Sequence, residues 1–243
     1  MTLPRARHQL LAGTAAALAA LGVVVAAGNG PAAAAQSSAA RPRPAQKPNI
    51  VFVLTDDLSH NLVQYMPHVR QMMREGESFD RYVVTDSLCC PSRSSIFTGR
   101  FPHNTGVFTN NPPDGGFATF NQKGDQYQTF ATALKARGYR TAMMGKYLNG
   151  YQARRGKPGE PGYQLPTPKP PGWTSWAVTD NGYQQYNYTL NLDGRALEPH
   201  FGRTPRNYLT DVLSDKGAGF ITRSARAHKP FMLELAPSLR TRR

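Results

Sequence analysis

From residue 49 onward, apolar side chains come in short runs whose period switches between that of a strand and that of a helix. Residues 49–54 (N-I-V-F-V-L) form a continuous apolar stretch of strand length, the pattern of a strand covered on both faces in a parallel sheet. Residues 66–75 place Val69, Met72 and Met73 on one helical face, with Pro67 in the first turn and Gly76 as a stop, and predict a short helix. Residues 79–84 predict the next strand. A second such unit follows: residues 129–137 predict a helix with Phe130, Ala133 and Leu134 inward, Gly138 ends it, and residues 139–144 predict an extended segment leading to Gly145 and Lys146. Further on, residues 183–191 predict a strand and Asp193-Gly194 a hairpin turn. Residues 208–226 predict an amphipathic helix through Leu209, Val212, Leu213, Phe220 and Ile221, and residues 231–236 one more buried strand. This alternation, without internal repeat, predicts an α/β fold with helices on both faces of a mostly parallel sheet.

Composition narrows the class. The 243 residues, 40% of them hydrophobic, suffice for one ordinary domain or a small pair. Gly at 22 and Pro at 20 exclude a coiled coil, and two cysteines cannot build a disulfide scaffold. At the start, Arg5, Arg7 and His8 precede an alanine-rich apolar run over residues 10–27, then Gly28, Gly30, Pro31 and the small residues 32–35. This is a secretory signal pattern with an A-x-A-like site, so residues 1–35 are expected to be a signal peptide and the chain to be secreted. The run approaches a bilayer span in length, but nothing later in the chain could cross a membrane, so no membrane association is expected after cleavage. Residues 36–47 read as a solvated linker, residues 48–237 as the folded part, and residues 150–171, dense in Gly, Pro and Lys, as a surface excursion.

Charge adds a constraint on partners. Lys and Arg number 29 against 15 acidic residues, a formal +14, and removal of the leader leaves +12. An anionic partner is implied, and without any nucleic-acid-binding motif in an exported chain, nucleic acid is not expected.

Three places carry candidate chemistry. Asp56 and Asp57 stand at the carboxyl end of the first predicted strand, where open α/β sheets place ligands, and read either as a solvated turn or as two oxygen donors for Ca²⁺ or Mg²⁺. In residues 88–100 (L-C-C-P-S-R-S-S-I-F-T-G-R), Pro91 suits the first turn of a helix ending near Gly99. That puts residue 89 at a helix N-terminus, where amides and dipole favour an anion. The cysteine pair alone would read as buried thiols or a vicinal disulfide. Lys146 ends a predicted buried strand, an unusual place for an ordinary surface lysine.

The spacing C-x-P-S-R at residues 89–93, followed by T-G-R at 98–100, resembles the sulfatase family. The resemblance implies an alkaline-phosphatase-like α/β sandwich, of which this chain carries the N-terminal portion. It implies that Cys89 is oxidised to formylglycine by a formylglycine-generating enzyme, with Cys90 as the variable position. One hydroxyl of the hydrated aldehyde then attacks sulfur and displaces the alcohol, and the other expels sulfate and regenerates the aldehyde, whereas a plain thiol or serine would be left as a covalent sulfate ester. Arg93 would stabilise the hydrate, Lys146 would bind sulfate, and Asp56, Asp57 and residue 89 would contribute to a Ca²⁺ or Mg²⁺ site.

The motifs at residues 48–51, 55–57, 102–104, 145–149, 171–173 and 186–190 are similar to the N-acetylglucosamine-6-sulfatase and extracellular heparan endosulfatase branch. Many arylsulfatases carry G-K-W-H where this chain has Gly145-Lys146-Tyr147-Leu148, followed by Asn149. The implied substrate is therefore a sulfated carbohydrate with 6-O-sulfated N-acetylglucosamine, with Asn149 and His103 as substrate contacts and Asn110 and Asn111 as weaker ones. A broad-specificity arylsulfatase and a non-catalytic polyanion-binding fragment are the alternatives. In the family, the strand at residues 231–236 is followed by a histidine-bearing segment and later by further metal ligands and a lysine. Residues 238–243 (S-L-R-T-R-R) do not match, so weak or absent turnover and an unpaired sheet edge at residues 231–236 are expected. Asn187-Tyr188-Thr189 is formally a glycosylation acceptor but reads as part of a strand.

Overall fold

Strand-forming runs that lie far apart in the chain meet in one six-stranded sheet. Its strands are β1 (Ile50–Val53), β2 (Arg140–Lys146), β3 (Ser175–Thr179), β4 (Tyr188–Leu192), β5 (Arg195–Phe201) and β6 (Phe231–Ala236). Their spatial order is β1-β6-β2-β3-β4-β5, with the first four parallel and β4 and β5 antiparallel additions. This computed structural model describes residues 47–153, 167–180 and 182–238. The expected signal peptide, nearly all of the linker, the middle of the residue 150–171 excursion and residues 239–243 lie outside the described residues.

Apolar alternation in β2 and β6 divides the core into two layers. Met143, Met232 and Ala236 face a layer shared with Cys90, Phe97, Phe120 and Ala131, which come from α2 (Cys89–Thr98), α4 (Gly116–Gln122) and α5 (Phe130–Ala136). Ala142, Met144, Phe231 and Leu233 face the other, against Leu209, Leu213 and Phe220 of α6 (Leu209–Arg226). Helices therefore cover both faces, as the sequence predicts. At the far side of the sheet, Asp193 (φ 52°) and Gly194 (φ 91°) form the β4–β5 turn with the paired positive φ angles of a type I′ hairpin.

Several expectations fail for identifiable reasons. β1 is an edge strand with one open face: Ile50 and Phe52 pack on the α2 layer, whereas Val51 and Val53 are about half exposed, because α6 packs over β2 and β6. The expected free edge at residues 231–236 is likewise wrong, since β6 lies between β1 and β2 and pairs with both. Residues 79–84 form no strand. Among the described residues nothing lies beyond β1 to ladder with them, so Phe79, Tyr82, Val83 and Val84 stay exposed, the last three bordering a cavity of about 520 Å³ with Phe52, Leu54 and Ile96.

Smaller departures have similar causes. α1 (Pro67–Glu75) forms with Pro67 in its first turn, but Met72 and Met73 remain exposed and none of its residues is buried. In α5 the inner positions are Phe130, Ala131 and Leu134, with Ala133 outside. β4 begins at Tyr188 rather than at residue 183, because Asn187 adopts a left-handed φ of 56° that ends the ladder there.

Candidate active site

α2 starts where the C-C-P segment meets its capping groups. Asp86 Oδ1 accepts the Leu88 amide, and Asn110 Oδ1, from a loop twenty residues on, accepts the Cys90 amide at 2.8 Å. Pro91 needs no such partner. The helix closes at Gly99, whose left-handed φ of 69° lets its amide reach Ser95 O. The two cysteines, both free thiols, end in different surroundings. Cys90 is fully buried; its sulfur accepts the Asn149 amide at 3.0 Å, and burial pushes its thiol up to about 11. Cys89 is partly exposed at the helix N-terminus, facing the carboxyl ends of β1 and β2.

Those strand ends bring a buried ion cluster to Cys89. Lys146, 1% exposed, donates to Asp56 Oδ2 at 2.8 Å, to the Tyr183 hydroxyl at 2.7 Å and to Cys89 Sγ at 3.3 Å. Asp56 Oδ1 lies 3.7 Å from Cys89 Sγ and accepts from Arg93 Nη2 at 3.4 Å, while Arg93 Nη1 donates to the Lys146 carbonyl at 2.8 Å. Burial alone would raise the Asp56 carboxyl, but the bond and charge of Lys146, with Arg93, hold it below its ordinary value. Burial would likewise lower Lys146, yet its bonds to Asp56 and Tyr183 leave it raised. Both groups are thus held charged out of water, the condition under which a buried ion pair is tolerated.

Local backbone geometry makes this convergence work. Gly145 has φ 109°, and a Cβ there would sit 2.2 Å from Ala236 O, so only glycine lets β2 deliver Lys146 beside β6. Gly182 (φ 74°) also passes close to the Lys146 side chain, where a Cβ would sit 2.8 Å from Lys146 Cβ, and brings in Tyr183. Asp56 is tied to the end of β6: its amide donates to Pro237 O at 3.2 Å, and Ser238 Oγ donates to Asp56 Oδ2 at 3.4 Å.

The structure gathers Asp56, Cys89, Arg93 and Lys146 of the sequence-derived site. Asn149 stands behind the cluster, fixed to Cys90. Asp57 is exposed, with φ 57°, and the ion pairs to Arg93 and Lys146 are made by Asp56. His103, in the four-residue α3 (Pro102–Thr105), is exposed and stacks on Phe101 with ring centroids 5.7 Å apart, outside the cluster. Asn110 is a helix cap, and Asn111 accepts from Thr109 in its own loop. Tyr183 and Ser238 were not singled out in the sequence: the first reads there as strand and the second as tail, and only the preceding Gly182 hints at a close approach.

An anion at residue 89 would meet the helix N-terminus, the Lys146 ammonium and the Arg93 guanidinium together. A divalent cation is less well served. Ca²⁺ needs about six to eight oxygens, whereas the described residues hold no group of three His, Cys, Asp or Glu side chains, and both Asp56 oxygens already accept from Lys146 or Arg93. These residues alone do not fit a metal ion.

Known proteins of similar sequence and fold share one family. The family model described as Sulfatase matches residues 48–238. The chain is 35% identical over 198 residues to human N-acetylglucosamine-6-sulfatase, covering 79% of this chain and 34% of that protein. It is 33% identical over 205 residues to the extracellular sulfatase SULF-1 homolog of Drosophila melanogaster (82% and 17%) and 32% identical over 211 residues to an arylsulfatase of Chlamydomonas reinhardtii (84% and 30%). Among solved structures, one determined in complex with its substrate D-glucosamine-2-N,6-O-disulfate overlays with a TM-score of 0.58 at 26% identity, covering 79% of this chain and 34% of that one. The chain therefore spans about a third or less of the length of these curated relatives.

Proposed function

This chain belongs to the sulfatase family, with its alkaline-phosphatase-like fold, and on that premise we propose that it serves sulfate ester hydrolysis at residue 89, on 6-O-sulfated N-acetylglucosamine in glycans. The observation that carries the reading is the contact of Cys89, at the α2 N-terminus, with Lys146 Nζ at 3.3 Å and Asp56 Oδ1 at 3.7 Å. As formylglycine hydrate, residue 89 would supply one hydroxyl to attack sulfur, the ester S–O bond breaking as the sugar alcohol leaves with a proton, and a second hydroxyl whose deprotonation expels sulfate and regenerates the aldehyde. Lys146 neutralises a sulfate oxygen and orients the residue 89 side chain. Arg93, anchored on Asp56 and on the Lys146 carbonyl, keeps positive charge beside the developing oxyanion.

Asp56 and Asp57 are our proposed contribution to a Ca²⁺ or Mg²⁺ shell that they do not complete, and no step above runs through the metal. His103 and Asn149 remain proposed substrate contacts; for His103 the proposal requires the exposed α3 loop to line the approach to residue 89. Maturation by a formylglycine-generating enzyme, and secretion directed by residues 1–35, belong to the same reading. The curated relatives with extracellular in their names support secretion.

The test uses chain produced alongside a formylglycine-generating enzyme. Mass spectrometry across residues 82–100 is expected to find formylglycine at residue 89 and thiol at residue 90, and sulfate release from N-acetylglucosamine 6-sulfate is expected to exceed that from an aryl sulfate. Persistent thiol at residue 89 sinks the chemistry. Faster aryl sulfate turnover favours the arylsulfatase reading, which the Chlamydomonas likeness supports. Formylglycine present without turnover of either ester leaves only a polyanion-binding role.

A further inference from the structure

At the amino ends of the same parallel strands, opposite the site, the chain gathers positive charge. Lys47 stands ahead of β1, Arg137 just after α5, Arg140 at the start of β2, Arg223 and Arg226 in the last turn of α6, and Lys229 ahead of β6. All are exposed except Arg140, which is half-buried. Hydrogen bonds tie these pieces together: Lys47 Nζ donates to Arg137 O at 2.6 Å, Arg140 Nη1 to Arg223 O at 3.2 Å, and the Arg140 amide to Pro230 O at 2.9 Å. Twice, then, one cation is held against the main chain of another. The stretches that supply them, residues 47–55, 126–146 and 216–233, contain no Asp or Glu. Among the described residues the ion pairs engage Arg93, Arg100, Lys146 and Lys169, and none of these six. The dipole of α6 accounts for Arg223 and Arg226 at its carboxyl end, but not for the four cations from other segments.

Like charges held side by side repel, and a polyanion laid over them relieves the repulsion. We propose that this end of the sheet is a docking surface for a linear sulfated polysaccharide, separate from the site at residue 89. The whole of β2, about 20 Å at the usual rise per residue, separates Arg140 from Lys146, so one sulfate group cannot meet both. A bilayer fits less well: none of the exposed large hydrophobic side chains falls within residues 47–49, 135–140 or 223–229, so nothing there would insert. For the same reason no exposed aromatic ring stands there for nucleic-acid bases to stack on. The choice of a sulfated glycan among polyanions rests on the sulfatase reading; the anion-binding surface itself does not.

The experiment measures heparin binding by calorimetry on the full chain with Cys89 unmodified, so no turnover enters and failure of the hydrolysis reading leaves its result unchanged. A triple variant, Arg137→Gln, Arg226→Gln and Lys229→Gln, is compared with a second, Arg70→Gln, Arg74→Gln and Arg81→Gln, which removes the same charge from exposed positions in and after α1. The first is expected to weaken binding by about fivefold or more per cation removed, the scale for a basic residue at an anionic surface, and the second far less. Equal loss in both, or no binding by the unsubstituted chain, overturns the proposal. So does tighter binding to phosphatidylserine vesicles or to single-stranded DNA than to heparin. Should a variant not fold, the unsubstituted chain still decides: bound heparin is expected to shield Lys47 and Lys229 from acetylation more than Lys169. Equal or greater shielding of Lys169 overturns it as well.

Discussion

An ammonium group has three protons to donate, and at Lys146 they go to three different parts of the chain: Asp56, Tyr183 and Cys89. Lys146→Met removes all three at once and leaves Asp56 buried with only Arg93 as counter-charge. Breaking a buried pair in this way costs about 3–5 kcal/mol, so a large drop in melting temperature is expected, measured by calorimetry. Asp56 is depressed in the folded chain, so its contribution is present above the ordinary carboxylate range and lost as pH falls through its lowered value. Glu234 has the opposite sign. Burial pushes it up to about 7 from an ordinary 4.5, so the folded chain binds the extra proton and stability falls as pH rises through that window. Melting temperature is expected to decline between these two pH values, and Glu234→Gln to flatten the decline; an equal slope in the variant would refute the assignment. Cys89, Arg93, Lys146 and Asp56 were legible in the sequence because motif spacing and strand ends mark them. Tyr183 and Ser238 were not, since they arrive by tertiary return, and Glu234 was hidden within an apolar strand pattern that it breaks.

At the scale of elements, the strongly periodic runs read correctly, the short helix α1 and the edge strand β1 among them, whereas β3 (Ser175–Thr179) was not read and residues 79–84 were misread as a strand. β2, β6 and α6 carry enough apolar positions to be covered on all inward faces, and their predicted bounds hold within two residues. Residues 79–84 have a strand's composition but no ladder partner, and β-propensity does not form a strand without one. Where β2 meets β6, the close approach at Gly145 is the sensitive point. Gly145→Ala would combine an unfavourable positive φ with a Cβ against the Ala236 carbonyl, a strain of roughly 1–3 kcal/mol or more. Because the adjacent residue is Lys146, the variant is expected both to melt earlier and to alter alkylation of Cys89. A fall in melting temperature with Cys89 unchanged would mean that the strain is absorbed elsewhere.

For the molecule as a whole, β6 is the strand that joins the two whose ends carry the site. β1 and β2 are not neighbours, and Asp56 and Lys146, 90 residues apart in sequence, meet with residues 231–236 lying between their strands. Order of synthesis then becomes part of the chemistry. After residue 89 is made, about 140 further residues must follow before β6 exists, which at roughly 5–20 residues per second takes on the order of ten seconds. Throughout that interval the C-C-P-S-R segment has no finished sheet to dock on, and a modifying enzyme would meet it as open chain. Ribosome-bound chains stalled before residue 231 are expected to show residue 89 freely alkylated and open to proteolysis, and chains stalled well beyond residue 238 to show it shielded; the same protection in both would place closure earlier. The central place of a late strand would thus act as a timer, holding residue 89 accessible until the strand ends close around it.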